Sequence, residues 1–169
     1  MVIRASRTPS AHEVLAVLDR VMDPEVPVLS VVELGIVRDV DVNTEGVTVT
    51  VTPTYSGCPA MRVIERDIEA ALRARGVERV AIRTRYAPAW TTDWIGPAAR
   101  EKLRAYGIAP PGPADHDAPI AIGRRRAAVR CPHCGSTDTQ LRSEFGSTAC
   151  KAIHVCRDCQ QPFEEFKAI

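Results

Sequence analysis

At 169 residues, with 45% hydrophobic and 25% charged side chains, the chain has a globular composition and room for one ordinary domain plus a small appendage. A formal net charge of +1 supplies no global field for nucleic acid or a membrane surface. No run is long and apolar enough to span a bilayer, and residues 1–10 are basic without the apolar core of a secretory signal, so no membrane contact and a reducing cytoplasm are expected.

Ser10 and Glu13 form a capping-box pattern, and Val14, Val17, Leu18, Val21 and Met22 mark the apolar face of a first helix that ends before Pro24. Asp23-Pro24-Glu25-Val26-Pro27 reads as a turn carrying two carboxylates. Residues 30–34 form a short helix or a turn, punctuated by Gly35, and alternation over 36–42 predicts a strand. Asn43-Thr44-Glu45-Gly46 is a hairpin turn into a second strand over 47–51.

Thr52-Pro53-Thr54-Tyr55-Ser56-Gly57-Cys58-Pro59-Ala60-Met61 then connects that strand to a helix on which Met61, Ile64, Ile68 and Leu72 recur at helical spacing. Pro53 ends the strand, and Pro59 suits the first helical position, which places Cys58 at or beside the N-cap. There a thiol faces unpaired backbone N–H groups and the positive end of the helix dipole, which favours a thiolate and makes Cys58 a candidate nucleophile or metal-handling group. A small buried cysteine filling a core gap is the competing reading.

The helix ends near Arg75 with Gly76 as its C-terminal cap, and Val80, Ile82 and Thr84 predict a third strand. Trp90 and Trp94, in an aperiodic stretch, are expected to seal the edge of the core. A last helix over 97–106, closed by Gly107, turns Ala99, Leu103 and Tyr106 to the sheet. The sum is a small α+β domain, a sheet of three strands or slightly more with helices on one side. Residues 109–122 are rich in proline and glycine and read as a stiff linker, followed by Arg124, Arg125, Arg126 and Arg130, a solvated hinge more readily than a phosphate site. The expected partition is therefore a domain over 1–108, a linker over 109–126 and a second module over 127–169.

That second module carries Cys131-Pro132-His133-Cys134 and Cys156-Arg157-Asp158-Cys159. Two C-x-x-C turns at this separation each place two sulfurs on one side of a tight loop, and two loops complete a tetrahedron, the pattern of a Cys₄ zinc ribbon. A segment this short cannot bury a sufficient core, so metal binding would supply its folding energy. An iron tetrathiolate is the competing occupant, since four sulfurs suit both metals. His133 is expected to point outward, His154 could substitute as a ligand although four sulfurs already close a structural site, and Cys150 is a second reactive thiol or a packed residue.

The acidic turn at 23–27, Val32-Glu33-Leu34-Gly35-Ile36-Val37, Thr54 with Gly57-Cys58-Pro59, and Trp90-Thr91-Thr92-Asp93-Trp94 together resemble the MIP18 family, once called domain of unknown function 59. Its members help insert iron–sulfur clusters into client proteins. The ribbon with Phe145-Gly146-Ser147-Thr148-Ala149-Cys150-Lys151-Ala152 narrows the resemblance to a family of accessory components of the phenylacetyl-CoA 1,2-epoxidase systems of phenylacetate catabolism. The resemblance implies a MIP18-like α+β fold followed by a zinc ribbon, and Cys58 as the reactive cysteine, with Asp23 and Glu25 as supporting carboxylates. It also implies transient handling of iron or an iron–sulfur cluster at Cys58, structural zinc at Cys131, Cys134, Cys156 and Cys159, and the epoxidase's oxygenase or reductase subunits as partners. Generic members lack the ribbon, which is thus a client- or complex-specific addition. An accessory, non-catalytic role is expected, since no G-x-G-x-x-G unit follows a strand and no paired Glu-x-x-His signature of a di-iron bundle is present. The alternatives are a thiol or iron-tetrathiolate electron-transfer component and a nucleic-acid-binding zinc ribbon, the latter opposed by the near-neutral charge. A homo-oligomer is left open.

Overall fold

The computed structural model describes residues 9–112 and 128–169; residues 1–8, most of the expected linker and the Arg124, Arg125, Arg126 cluster lie outside the described residues. By internal contacts the chain divides into two compact units, Met1–Trp90 and Thr91–Ile169.

The first unit opens with helix α1, Ala11–Leu18. Its capping box forms as expected: the Ser10 hydroxyl accepts from Glu13 N–H at 3.2 Å and the Glu13 carboxylate accepts from Ser10 N–H at 2.8 Å. The helix stops at Leu18, earlier than the apolar spacing implies. Val21 is still buried, but Met22 is exposed and forms an isolated bridge with Ser30. The chain turns here because Asp23 fixes it: its carboxylate accepts from the N–H groups of Glu25 and Val26, both at 2.8 Å. Residues 31–35 are a turn, in which the side chains and backbone N–H groups of Ser30 and Glu33 pair reciprocally.

Strands β1 (Val37–Asn43) and β2 (Gly46–Val51) form the expected hairpin. Helix α2 (Met61–Arg73) buries Met61, Ile64, Ile68 and Leu72, the four residues that its spacing predicts. It is the crossover that lets strand β3 (Val80–Thr84) pair parallel with β2, giving a three-stranded sheet in the order β1-β2-β3. Val47, Val49 and Val51 of β2 are buried, and Gly46 allows a close approach of the backbone: a Cβ there would lie 2.3 Å from the Arg79 carbonyl oxygen. Trp90 seals this core, its indole N–H donating to the Leu34 carbonyl at 2.9 Å, whereas Trp94 is half-buried.

The second unit begins with a 3₁₀ turn, Thr92–Trp94, and helix α3, Pro97–Tyr106. Ala99 and Leu103 are buried as expected, but Tyr106 is exposed. Gly107, at φ 94°, ends the helix and feeds a two-residue strand β4 (Ile108–Ala109) that pairs parallel with β7 (Pro162–Phe166). Strands β5 (Thr139–Ser143) and β6 (Lys151–Cys156) complete a four-stranded sheet in the order β4-β7-β6-β5. Helix α3 therefore groups with the ribbon, whereas a boundary at residue 108 assigns it to the first sheet. The pairing behind this is between residues far apart in the chain, and no local pattern encodes it.

Candidate functional site

Among the described residues, two groups have chemistry to offer, one in each unit. In the second unit, the sulfurs of Cys131, Cys134, Cys156 and Cys159 all lie within 4.8 Å of one another. Cys131 and Cys159 are 3.7 Å apart and Cys134 and Cys156 are 3.5 Å apart. Sulfur ligands at about 2.3 Å from a tetrahedral ion would be spaced by about 3.8 Å, so the donor set fits such a metal.

The two C-x-x-C turns are built alike. The residue after each second cysteine is left-handed, Gly135 at φ 79° and Gln160 at φ 60°. This turns the following N–H groups back on the sulfurs: Ser136 donates to Cys134 and Gln161 to Cys159. The N–H of Cys159, together with that of Asp158, holds the Cys156 thiol down to about 7. At Cys134 the Ser136 N–H favours a thiolate, but desolvation and the sulfurs of Cys156, Cys159 and Cys131 push the thiol up to about 12. Four sulfurs this close ionise together only around a cation, which is the electrostatic case for a metal here. The turns are tied to each other by the Ser136 hydroxyl, which donates to the Asp158 carboxylate. Ala109 of β4, Cys131, Cys156 and Phe163 form a common apolar cluster beneath them.

His154 stays outside the set of four sulfurs, which closes the site without it. It is buried on β6, hydrogen-bonded at 2.8 Å to Glu165 and stacked on Phe163 with ring centroids 5.5 Å apart. His133 is exposed and meets Phe163 edge-on. Cys150 is buried, its sulfur 3.0 Å from the Thr148 hydroxyl, which is the packed arrangement. Sequence reasoning passes over Gln160, because glutamine carries no signal for a left-handed backbone. It also passes over the Lys151–Glu164 pair at 3.0 Å, whose lysine side chain is 5% exposed.

In the first unit, Cys58 lies near enough to Glu25 to feel its charge. It does not cap α2. The N-cap is Ala60, Pro59 precedes it, and Cys58 sits in the turn before, its carbonyl accepting from Met61 N–H at 3.3 Å. Residues 58–60 spend their backbone on that turn, so the helix starts later than Pro59 suggests. Burial pushes the Cys58 thiol above its ordinary value; the Ala60 N–H opposes this, the Glu25 carboxylate adds to it, and the side chains of Tyr55 and Thr54 oppose it again through hydrogen bonds. Burial thus works against the thiolate that a helix N-terminus favours. Tyr55 and Thr54 belong to the connecting stretch, but only the folded turn shows that they reach the sulfur.

Residues 11–82 match the family described as iron–sulfur cluster assembly protein, and residues 115–167 match the PaaD zinc beta ribbon domain. A protein of Escherichia coli (strain K12), named as the D component of 1,2-phenylacetyl-CoA epoxidase, is 47% identical over 161 residues, covering 95% of this chain and 94% of that protein. This chain belongs to the PaaD family of phenylacetyl-CoA epoxidase components. The first part of this PaaD-family chain is also 37% identical, over 94 residues, to a protein of Porphyromonas gingivalis (strain ATCC BAA-308 / W83) named as an Fe-S protein maturation auxiliary factor, covering 54% of this chain and 89% of that one. A crystal structure of a domain of unknown function DUF59 from Bacillus anthracis superposes with a TM-score of 0.51 at 27% identity, covering 54% of this chain and 89% of that one. The resemblance to the MIP18 family and the α+β fold with a C-terminal ribbon are thereby borne out. Among the described residues, no helix is long and apolar enough to cross a membrane.

Proposed function

We propose that this protein is a non-catalytic accessory component of a phenylacetyl-CoA epoxidase system. It assists the maturation of an iron–sulfur cluster or iron centre in the oxygenase or reductase subunits, in the cytoplasm. The observation that carries the reading is the half-buried Cys58 with Glu25 beside it and three hydrogen-bond partners, Ala60 N–H, Tyr55 and Thr54. A thiol raised by burial and hydrogen-bonded by groups able to stabilise its anion suits a transient soft ligand for iron. Glu25 is the adjoining hard ligand, and Asp23 is the positioning residue that fixes the turn presenting it. Zinc in the ribbon holds the second unit together. The test is co-expression of the whole system with wild-type, Cys58→Ser and Cys58→Ala chains, measuring iron and cluster content of the purified oxygenase and reductase. Both variants should fold with full ribbon metal and leave the partners iron-poor. Full partner loading with either variant would make Cys58 a packing residue.

A further inference from the structure

A cleft of about 340 Å³ runs along α1 and past the C-terminal end of α2, in a part of the first unit that the reading above does not use. Val14, Leu72 and Val77 form its buried floor, and Val17 forms a half-buried wall. Arg20 and Arg75 stand at its rim, both exposed. Among the described residues neither guanidinium meets a carboxylate, whereas Arg66, Arg73 and Arg104 each pair with one. Glu13, the acidic residue lining the cleft, already spends its carboxylate on the N–H and hydroxyl of Ser10. The cleft therefore offers apolar contact and a rim on which two guanidiniums outnumber the one carboxylate, Glu13.

We infer that this cleft docks an acidic, leucine-rich segment of a partner protein. Charge selects the occupant. The chain's own first eight residues bring Arg4 and Arg7 and no carboxylate, so they would add to the positive rim. A second copy set cleft to cleft by two-fold symmetry would oppose Arg20 and Arg75 to their own counterparts. A segment alternating leucine and glutamate seats aliphatic side chains against Pro9, Ala16 and Val17, over the buried Val14, Leu72 and Val77, and brings carboxylates to both arginines, the apolar-anchor and charged-rim pattern of helix-in-groove recognition. The competing explanation is that the two arginines only offset the dipoles of α1 and α2 near their C-terminal ends. That would make their loss a small stability effect with no binding consequence. The inference stands whether or not Cys58 handles iron.

The experiment is fluorescence anisotropy with the full chain and three short labelled peptides, leucine–glutamate, leucine–lysine and serine–glutamate. The leucine–glutamate peptide should bind about tenfold more tightly than either control, and less tightly as salt rises. Arg20→Glu/Arg75→Glu should lower that affinity about tenfold and turn the preference toward leucine–lysine, with melting temperature little changed, while Arg83→Glu/Arg85→Glu, the same charge change on β3 and just beyond it, should leave it alone. Equal losses in the two charge reversals, or equal binding of the three peptides, would overturn the assignment. So would a chain lacking residues 1–8 that binds all three more tightly, since the cleft would then be covered by its own N-terminus.

Discussion

Cys58 shows how a single turn sets the reactivity of a side chain. Its thiol is raised first by burial and then by Glu25, so removing that charge acts in a known direction. Glu25→Gln should shift the pH midpoint of Cys58 alkylation downward and Tyr55→Phe should shift it upward, read by mass spectrometry of iodoacetamide-treated protein; shifts in the opposite directions would contradict the arrangement. The stability sign follows from the same direction. With the folded thiol raised above the unfolded value of about 8.5, its contribution is full below that pH and is lost as pH climbs through the folded value. Gln160 makes a second residue-scale case. A β-branched side chain at φ 60° is strained, so Gln160→Ile should cost about 1–2 kcal/mol in chemical denaturation of the metal-loaded protein, while Gln160→Gly should be tolerated. The Cys₄ set is legible in the sequence because two C-x-x-C turns force that chemistry wherever they fold. The place of Cys58 is not, to within a turn, because Pro59 fits a position before the N-cap as well as one inside the helix.

Among elements, those with strong local signals form where their periodicity puts them. Helix α2 and the β1–β2 hairpin are cases in which the apolar spacing and the turn chemistry agree. Ser10→Ala should lower stability by about 1 kcal/mol, since it removes one half of the α1 capping box. The Lys151–Glu164 pair between β6 and β7 is a different kind of support. Burial works against Glu164 ionisation, but the Ser147 N–H and then the Lys151 ammonium outweigh it and hold the carboxyl below its ordinary range. A lowered folded value means that the contribution is present above the unfolded carboxyl value of about 4.3 and is lost as pH falls through the folded one. Thermal melts of the second unit should therefore weaken below about pH 4 in the wild type, and Glu164→Ala, which strips the buried Lys151 of this partner, should cost about 3 kcal/mol. A flat acid profile would show that the pair carries no stability. None of this is legible in the sequence, because nothing local links Lys151 to Glu164 and their pairing needs the β6–β7 register.

At the scale of the whole molecule, the boundary between the two units falls after Trp90 and not at the Pro-rich stretch. Helix α3 and β4 precede the Pro-rich stretch in the chain yet belong with the strands that follow it. Limited proteolysis within residues 113–127 should therefore leave the two fragments associated under native conditions, because β4 remains paired with β7; separation on gel filtration would argue that this pairing is weak. Chelating the ribbon metal should abolish hydrogen-exchange protection in β5, β6 and β7 while β1, β2 and β3 keep theirs, since Cys131 and Cys156 sit in the core of the second unit only. Equal loss in both units would mean that they fold as one.

The β4–β7 pairing also dictates an order of events during synthesis. The first unit has every strand it needs once Thr84 has emerged, and its core can close while the rest is still being translated. Ile108 must wait for Glu164, and the Thr91 hydroxyl and the Thr92 N–H wait for the Ile169 carbonyl that they bind. Helix α3, with Ala99 and Leu103 on its inner face, thus leaves the ribosome long before anything exists to cover it. A ribosome stalled within the ribbon would display a finished first unit followed by a bare amphipathic helix, a ready target for a chaperone.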